Sequence, residues 1–230
     1  MGNVCTGPKC LFPQVDDVEI AIPLDKVGEA LKDVGEIVKA TKACFPVFGI
    51  YLRFALKSPL EPLLAPNRNQ DVAFIELHIL RTRNGSPHLG FAAVDEIRQL
   101  LFKKYHGQAH FGKNYASDFS DARMNELLEN QSTFSYLVSK YDPRLIFSNP
   151  FLKNLFSSTK DSTTLHNMTN QCAFNRTCSA CSLDVHCFPG WKCVEGSFYK
   201  NARVCKKGPG IGCIRGDECS SSNCFLFKCR

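Results

Sequence analysis

The chain has 230 residues, of which 44% are hydrophobic and 22% charged, a composition typical of a globular protein with one sizeable core. It contains no run of about 18 apolar residues, so the sequence offers no candidate for a membrane-spanning helix. Its start lacks a basic flank followed by an apolar run, so no signal peptide is predicted.

Positive charge and cysteine are both concentrated in residues 172–230. This stretch carries nine Lys and Arg against four Asp and Glu, and it holds ten of the 13 cysteines. An even number of cysteines at this density is typical of a disulfide-stapled secreted module. A zinc site at Cys178, Cys181, His186 and Cys187 is the alternative, but no second paired half at finger-like spacing follows. Disulfides are therefore favoured.

The basic tail accounts for most of the net charge of +6. Such a tail could bind an anionic polysaccharide or a membrane surface, although an ordinary soluble basic surface explains the charge equally well. Nucleic acid is not expected as a partner, because the basic residues are scattered among cysteine-rich loops without a recognition element.

The signals for cellular location conflict with each other. Four N-glycosylation triplets, which favour the secretory route, begin at Asn84, Asn130, Asn167 and Asn175. Residues 1–6 instead fit an N-myristoylation pattern, and a myristoylated chain is made in the reducing cytosol, where disulfides do not persist. The clustered cysteines are the more specific signal. We therefore expect an extracellular or secretory-pathway protein, with membrane association at the N-terminus as the alternative.

The first predicted elements are a strand and a helix. Residues 18–22 alternate apolar and polar side chains and predict a strand that Pro23 ends. Asp25 is a candidate N-cap for the helix that follows. Its apolar stripe at helical spacing consists of Val27, Ala30, Leu31, Val34 and Val38. This helix should pack against a sheet.

Two further strands are predicted at residues 47–56 and 71–81, which are rich in β-branched and aromatic side chains. One face of the third strand is wholly apolar and should meet the core, which leaves Glu76 and His78 on the opposite face. Arg53 is the charged member of the second strand. It either points to solvent or holds an anion or an oxygen-rich ligand with its planar fork.

A second amphipathic helix is predicted at residues 89–105. Its buried stripe consists of Phe91, Val94, Ile97, Leu100 and Leu101. The stretch 108–114 follows and places an imidazole, an aromatic ring, a glycine and an ammonium in four consecutive positions, His110 to Lys113. These groups could hold a cofactor ring and a polar substrate together, with Gly112 allowing close backbone approach. A polar turn after a helix is the alternative.

No metal site is predicted in this region. His106 and His110 are four residues apart and could bind a metal ion only if the segment were helical. Gly107 separates them and no acidic third ligand is nearby in the sequence.

The order of elements predicts the fold class. Helical patches at residues 121–129 and 133–140 and a polar linker at 159–171 complete the chain. The order strand, helix, strand, strand, helix predicts an α+β fold, an antiparallel sheet packed under two amphipathic helices, plus a small disulfide-rich C-terminal module. The expected division is an N-terminal segment (1–17), a domain (18–158), the linker (159–171) and the tail (172–230).

Four stretches, in this order, resemble the C-terminal third of the FAD-dependent sugar-lactone oxidases. That family includes animal gulonolactone oxidase, the plant gulonolactone oxidase-like proteins and fungal arabinonolactone oxidase. The stretches are Ala21-Ile22-Pro23, Arg53-Phe54, His110-Phe111-Gly112-Lys113, and Tyr141-Asp142-Pro143 followed by Ile146-Phe147. The third is the most specific, because it is similar to the family's His-Trp-(Gly/Ala)-Lys signature with Phe111 in place of tryptophan.

The resemblance implies an oxidoreductase in which FAD takes a hydride from an aldonolactone. Arg53 and Lys113 would be catalytic, the first stabilising negative charge on the reduced ring and the second touching substrate hydroxyls or the flavin edge. His110 and Phe111 would border the flavin and so bind the cofactor. The guanidinium of Arg53 and the ammonium of Lys113 should therefore converge on one pocket.

Besides Phe111, which lacks an indole N–H, the sequence departs from the family in two ways. Animal and fungal members carry a glutamate two residues before the arginine, where this chain has Tyr51. The chain also has no G-x-G-x-x-G stretch to hold a pyrophosphate, so an upstream or separate domain would have to bind most of the FAD. The alternative hypothesis is a non-catalytic secreted protein, in which a degenerate cap domain carries a disulfide-rich module that binds a polyanion.

Overall fold

The computed structural model describes residues 15–41, 49–60, 62–80, 91–114, 131–149, 187, 190–209, 224–225 and 228–229. A four-stranded antiparallel sheet in the order β2-β3-β1-β4 forms its centre. The strands are β1 (Val15–Pro23), β2 (Ile50–Ala55), β3 (Val72–Leu80) and β4 (Gln108–Ala109). The helices are α1 (Val27–Thr41), α2 (Phe91–Lys103) and α3 (Gln131–Tyr141). These elements confirm the predicted α+β class.

The alternation of side chains along β1 and β3 divides the sheet into two faces. In the β1–β3 register, Val18 lies opposite Leu77 and Ile20 lies opposite Ile75, and all four side chains are fully buried. These pairs form the core with α1 and α2. Because side chains alternate along a strand, the intervening residues Glu19 and Glu76 face away from the core and lie opposite each other.

The first helix agrees with its predicted position but not with every detail. Ala30, Val34 and Ile37 are buried, whereas Leu31, which was predicted in the stripe, is only half-buried. The prediction that Asp25 caps α1 is wrong. Asp25 lies inside a 3-10 turn, Leu24–Lys26, which continues directly into the helix, so the turn itself organises the helix start.

The second helix is buried on its polar side as well as its apolar side. Val94, Ile97, Leu100 and Leu101 are buried as predicted, and so are the polar residues Glu96, Arg98 and Gln99. The cover is an antiparallel hairpin of the tail, formed by β5 (Trp191–Glu195) and β6 (Arg203–Lys207).

Glu96 anchors this hairpin to α2. Its carboxylate accepts hydrogen bonds from the backbone N–H groups of Ser197, Phe198 and Tyr199 at 2.6–2.7 Å. Gln99 adds two more, since its amide accepts from the N–H of Arg203 at 2.9 Å and donates to the carbonyl of Arg203 at 2.7 Å. The tail hairpin and the sheet domain are therefore packed against each other.

The tail contains a disulfide bond, as expected. Cys187 and Cys205 are joined with their Cα atoms 5.5 Å apart. Cys193 and Cys229 each take part in a further disulfide. Cys187 consequently has no free thiolate for zinc. A short pair of strands, β7 (Cys224–Phe225) and β8 (Lys228–Cys229), ends the described part of the tail.

Several predictions are confirmed or lie outside the described residues. The helix predicted at residues 133–140 is confirmed as α3. The helix at 121–129, the linker at 159–171, the asparagines of the four glycosylation triplets and the myristoylation pattern all fall outside the described residues. Within the described part of the chain, no helix is both long and apolar enough to cross a bilayer.

Candidate functional site

The polar face of the sheet carries two buried glutamates side by side. Glu19 on β1 is fully buried, and the side chain of Glu76 on β3 is 8% exposed. Like charges directly opposite each other on adjacent strands are destabilising, and buried carboxylates require compensating partners. This acidic pair (Glu19 and Glu76) therefore needs cations, and two arrive from elsewhere in the chain.

Arg53 on β2 supplies the first cation. Its Nε donates to Oε1 of Glu19 at 2.9 Å, and its Nη2 donates to the same oxygen. The guanidinium also lies 5.5 Å from the centre of the Phe74 ring. The hydrogen bond to Glu19 raises the pKa of Arg53. Because 55% of its side chain is exposed, Arg53 is paired yet still able to meet a ligand.

Lys113 supplies the second cation from the loop after β4. Its ammonium donates a hydrogen bond to Oε1 of Glu76 and lies 3.9 Å from Oε2 of Glu19. The structure thus brings Arg53 and Lys113 together at Glu19. The pocket on which they are expected to converge remains a prediction. Their catalytic roles remain a prediction.

The other two predicted residues lie beside this cluster. His110 has a 37% exposed side chain, and its Nδ1 lies 3.9 Å from Oε2 of Glu19 and accepts a hydrogen bond from the N–H of Gly112 at 3.1 Å. Its ring stands edge-on to Phe74 at 6.2 Å between centroids. Phe111 is half-buried and packs against the hydrophobic core. Flavin contact by either residue remains a prediction.

Two residues that the sequence did not single out hold the loop in place. Asn114 is buried, and its Oδ1 accepts hydrogen bonds from the backbone N–H groups of Glu19 and His110 at 3.3 and 3.1 Å. Gly107 allows the close approach, because a Cβ there would lie 2.5 Å from Ile20 and 2.9 Å from the carbonyl oxygen of Leu101. The packing therefore requires a glycine at position 107, before β4. The role expected of Gly112, close backbone approach to a ligand, remains a prediction.

Glu19 is the most important residue missed by the sequence prediction. The signal for it was a charged residue at the centre of an apolar strand, in the same phase as Asp17. Such a residue points either to solvent or into a polar site, and only the positions of Arg53 and Lys113 decide between the two.

A cluster of three titratable side chains, which includes Glu76, lies on the same face of the sheet. One donor atom from each of Asp17, Glu76 and His78 lies within 4.8 Å of the others, a spacing that a metal ion could use. Nδ1 of His78 is, however, 2.6 Å from Oδ1 of Asp17, and Lys113 already neutralises Glu76. These internal partners account for the cluster without an ion.

Comparison with known proteins decides which family the arrangement belongs to. The family described as "D-arabinono-1,4-lactone oxidase" matches residues 6–155, and the domain described as "L-gulonolactone oxidase 2-like, C-terminal domain" matches residues 169–207. The chain belongs to the D-arabinono-1,4-lactone oxidase family. The likeness expected from the four sequence stretches is therefore confirmed.

The similar curated proteins of this family are plant gulonolactone oxidases. "Probable L-gulonolactone oxidase 6" and "L-gulonolactone oxidase 2" from Arabidopsis thaliana are 28% and 26% identical over 85% and 84% of this chain. The chain spans only 32% of the length of each. The Arabidopsis "Probable truncated L-gulonolactone oxidase 7, mitochondrial" is 29% identical over 81% of this chain and 73% of its own length. No solved structure matches the chain.

Sugar-lactone oxidases of this family depend on FAD, and the polar face fits one part of that cofactor. Arg53 and His110 present partly exposed nitrogen groups on the same face, suited to the polar edge of an isoalloxazine ring. The pyrophosphate is a different matter, because the sequence has no G-x-G-x-x-G stretch to hold it. The residues present are therefore suited to contact the isoalloxazine ring but not to bind the pyrophosphate.

Proposed function

We propose that this chain is the C-terminal, substrate-side part of an FAD-dependent D-arabinono-1,4-lactone or L-gulono-1,4-lactone oxidase. The observation that carries the proposal is the convergence of Arg53 and Lys113 on the acidic pair in a member of this family. A domain outside these 230 residues would hold most of the FAD. The chain alone is then not expected to be active.

The bound FAD would supply the hydride acceptor for oxidation of a CH–OH group, with oxygen as the final acceptor. The guanidinium of Arg53 would stabilise the negative charge that develops on the reduced ring, and its raised pKa keeps it charged for this purpose. Lys113 would bind a substrate hydroxyl. Fixing both cations on Glu19 and Glu76 before the substrate arrives lowers the reorganisation needed during the reaction.

The absence of the glutamate that animal and fungal members carry does not leave the face without a carboxylate. Tyr51, which occupies the glutamate position, lies directly opposite Glu76 in the β2–β3 register. Side chains opposite each other on adjacent strands are about 5 Å apart at Cβ. The acidic function near Arg53 is therefore supplied from the neighbouring strands.

An apolar surface on β2 is evidence for a partner domain. This strand is at the edge of the sheet, and the side chains of Leu52 and Phe54, together with Leu56 just beyond the strand, are exposed. Exposed apolar residues on an edge strand mark a surface that other protein covers. We propose that the FAD-binding domain covers it.

The test is reconstitution with the missing part. The purified chain is mixed with FAD and with the FAD-binding domain of a full-length family member, and the mixture is separated by gel filtration. We expect flavin absorbance, at about 450 nm, to co-elute with the chain, and the complex to consume oxygen when L-gulono-1,4-lactone is added. A chain that never associates with flavin or with the domain contradicts the proposal.

The second candidate is a non-catalytic secreted protein that binds an anionic polysaccharide. It is favoured by the Cys187–Cys205 disulfide, which persists in oxidising compartments, and by the excess of positive charge in the tail. Either function is compatible with the secretory location that we propose. Salt-dependent retention on a polyanion column, combined with failure of the reconstitution, would favour this candidate.

A further inference from the structure

One oxygen of Glu19 is left without a hydrogen bond. Glu19 is fully buried, and Arg53 binds only its Oε1. Its Oε2 is buried as well and has no hydrogen-bond partner among the described residues. A buried carboxylate oxygen without a hydrogen-bond donor destabilises the folded state, so we expect a further group to donate a hydrogen bond to it.

Two nitrogen-bearing side chains lie near this oxygen, with room for one hydrogen-bonding atom in between. Nζ of Lys113 and Nδ1 of His110 each lie 3.9 Å from Oε2, too far for a direct hydrogen bond. An oxygen atom placed between Oε2 and Nζ could lie about 2.8 Å from both. An ammonium carries three N–H donors, so Lys113 can keep its bond to Glu76 and still donate another.

The bridging group must both donate and accept a hydrogen bond. Glu19 Oε2 can only accept, and Lys113 can only donate. His110 Nδ1 already accepts from the N–H of Gly112, so it supplies no proton here. A hydroxyl group matches this arrangement, because it donates its proton to Glu19 and accepts from Lys113.

The charge balance of the cluster favours a neutral ligand. Two carboxylates, Glu19 and Glu76, are matched by the two cations Arg53 and Lys113, so the cluster has no excess charge with which to attract an anion. The side chain of Lys113 is 29% exposed, so a ligand can reach its ammonium from solvent while the bond to Glu76 stays in place.

We propose that Glu19 is a substrate-binding residue, whose Oε2 accepts the proton of a hydroxyl group that Lys113 also contacts. The ligand class is a neutral polyhydroxylated lactone. The identity of this ligand rests on the proposed function, whereas recognition of a hydroxyl rests on the geometry of Glu19 and Lys113 alone.

Binding of L-gulono-1,4-lactone to the full 230-residue chain, measured by calorimetry without flavin, tests this inference. Glu19→Gln keeps the shape of the side chain but can turn an N–H donor toward Lys113. We expect this variant to weaken lactone binding at least tenfold. The matched control is Asp17→Asn, on the same strand and face, which removes a contact to His78 and should change the affinity less than twofold.

Glu19→Asp keeps the charge and withdraws the acceptor by one methylene, and it serves if Glu19→Gln does not fold. Far-ultraviolet circular dichroism identifies the folded variants. We expect Glu19→Asp to weaken lactone binding at least tenfold as well. A folded Glu19 variant that binds the lactone as tightly as wild type overturns the inference, as does a wild-type chain that binds no lactone.

The two proposals fail in different ways. If lactone binding depends on Glu19 but the reconstituted complex consumes no oxygen, the oxidase function is wrong and the hydroxyl site stands. If the complex consumes oxygen and binding is unaffected by the Glu19 variants, the hydroxyl site is wrong and the oxidase function stands.

Discussion

At the scale of single residues, the chemistry of this protein depends on four charges with matched partners. Glu19 and Glu76 are held beside each other by strand register, and neither would be stable there without a cation. Arg53 reaches Glu19 from β2, while Lys113 reaches Glu76 from the loop after β4. Removing either cation therefore leaves a buried carboxylate without its ion-pair partner.

Lys113→Ala should lower turnover at least tenfold in a complete, active protein, equivalent to about 1.4 kcal/mol in the barrier. The variant removes the proposed donor to a substrate hydroxyl and leaves Glu76 without its ammonium partner. Steady-state kinetics with the lactone measure the effect. Lys39→Ala, which removes an exposed lysine paired with Glu36 on α1, is the control and should leave turnover unchanged. Unchanged kinetics for Lys113→Ala would remove this residue from the site.

The candidate site was only partly predictable at this scale. Arg53, His110 and Lys113 could be named because their residue types and order resemble a family signature. Glu19 and Asn114 could not, since their significance depends on which side chains strand pairing and the β4 loop bring to them. Sequence spacing carries no information about contacts between positions 95 residues apart.

At the scale of elements, a partly buried polar cluster joins α1 to the two residues that follow α2. Asp33 on α1 accepts hydrogen bonds from Lys104 at 2.5 Å and from Tyr105 at 2.6 Å. Burial acts to raise the pKa of Asp33, but the hydrogen bonds from Lys104 and Tyr105 outweigh it and lower the pKa below its ordinary value. Burial and the hydrogen bond to Asp33 raise the pKa of Tyr105 to about 12.

The protein should lose stability as the pH rises from about 10 to about 12, because the unfolded chain releases the Tyr105 proton earlier than the folded chain does. The stabilisation from this group is complete below about pH 10, the ordinary pKa of tyrosine. Melting temperature measured against pH tests this. Tyr105→Phe should flatten the alkaline decline, and an identical decline in wild type and variant would contradict the assignment.

The docking of the tail depends on another buried carboxylate. Glu96→Gln replaces an acceptor of three backbone N–H groups with an amide that presents its own N–H donors to the hairpin. We expect a loss of roughly 2–3 kcal/mol in unfolding free energy, as for other charge-assisted hydrogen bonds. Urea denaturation measures it, with the half-exposed Glu36→Gln on α1 as the control. Equal stability of the two variants would show that Glu96 does not anchor the tail.

Elements that depend on a local sequence pattern could be predicted, whereas features that depend on contacts distant in the sequence could not. Strands and helices were placed correctly wherever an apolar period was long, as in β3 and α2. The burial of the polar face of α2 could not be predicted, because it depends on a hairpin about a hundred residues away in the chain. Asp25 was misplaced since local capping chemistry does not distinguish a helix start from a 3-10 turn.

At the scale of the whole molecule, the chain matches about a third of the length of its gulonolactone oxidase relatives. Its polar face and the apolar surface on β2 are the two features that a flavin-binding domain would meet. Both features lie on the edge strand β2, but on opposite faces of the sheet. Arg53 and Phe54 are consecutive residues of this strand, so their side chains point to opposite faces.

Phe54→Glu tests the proposed covering of β2. The side chain is 63% exposed, so the substitution should leave the melting temperature of the chain nearly unchanged. It should nevertheless weaken association with the FAD-binding domain at least tenfold, because a charge would be buried in the contact. Gel filtration or calorimetry of the mixture measures association. Tight binding by the variant would place the domain elsewhere.

The most direct test of the central claim is the flavin half-reaction. The chain is combined with a FAD-binding domain, oxygen is removed, and L-gulono-1,4-lactone is added while flavin absorbance is followed at about 450 nm. We predict that the absorbance bleaches in the wild-type complex, and that Lys113→Ala slows the bleaching at least tenfold. A yellow complex that is saturated with lactone and does not bleach would contradict the assignment of this polar face to lactone oxidation.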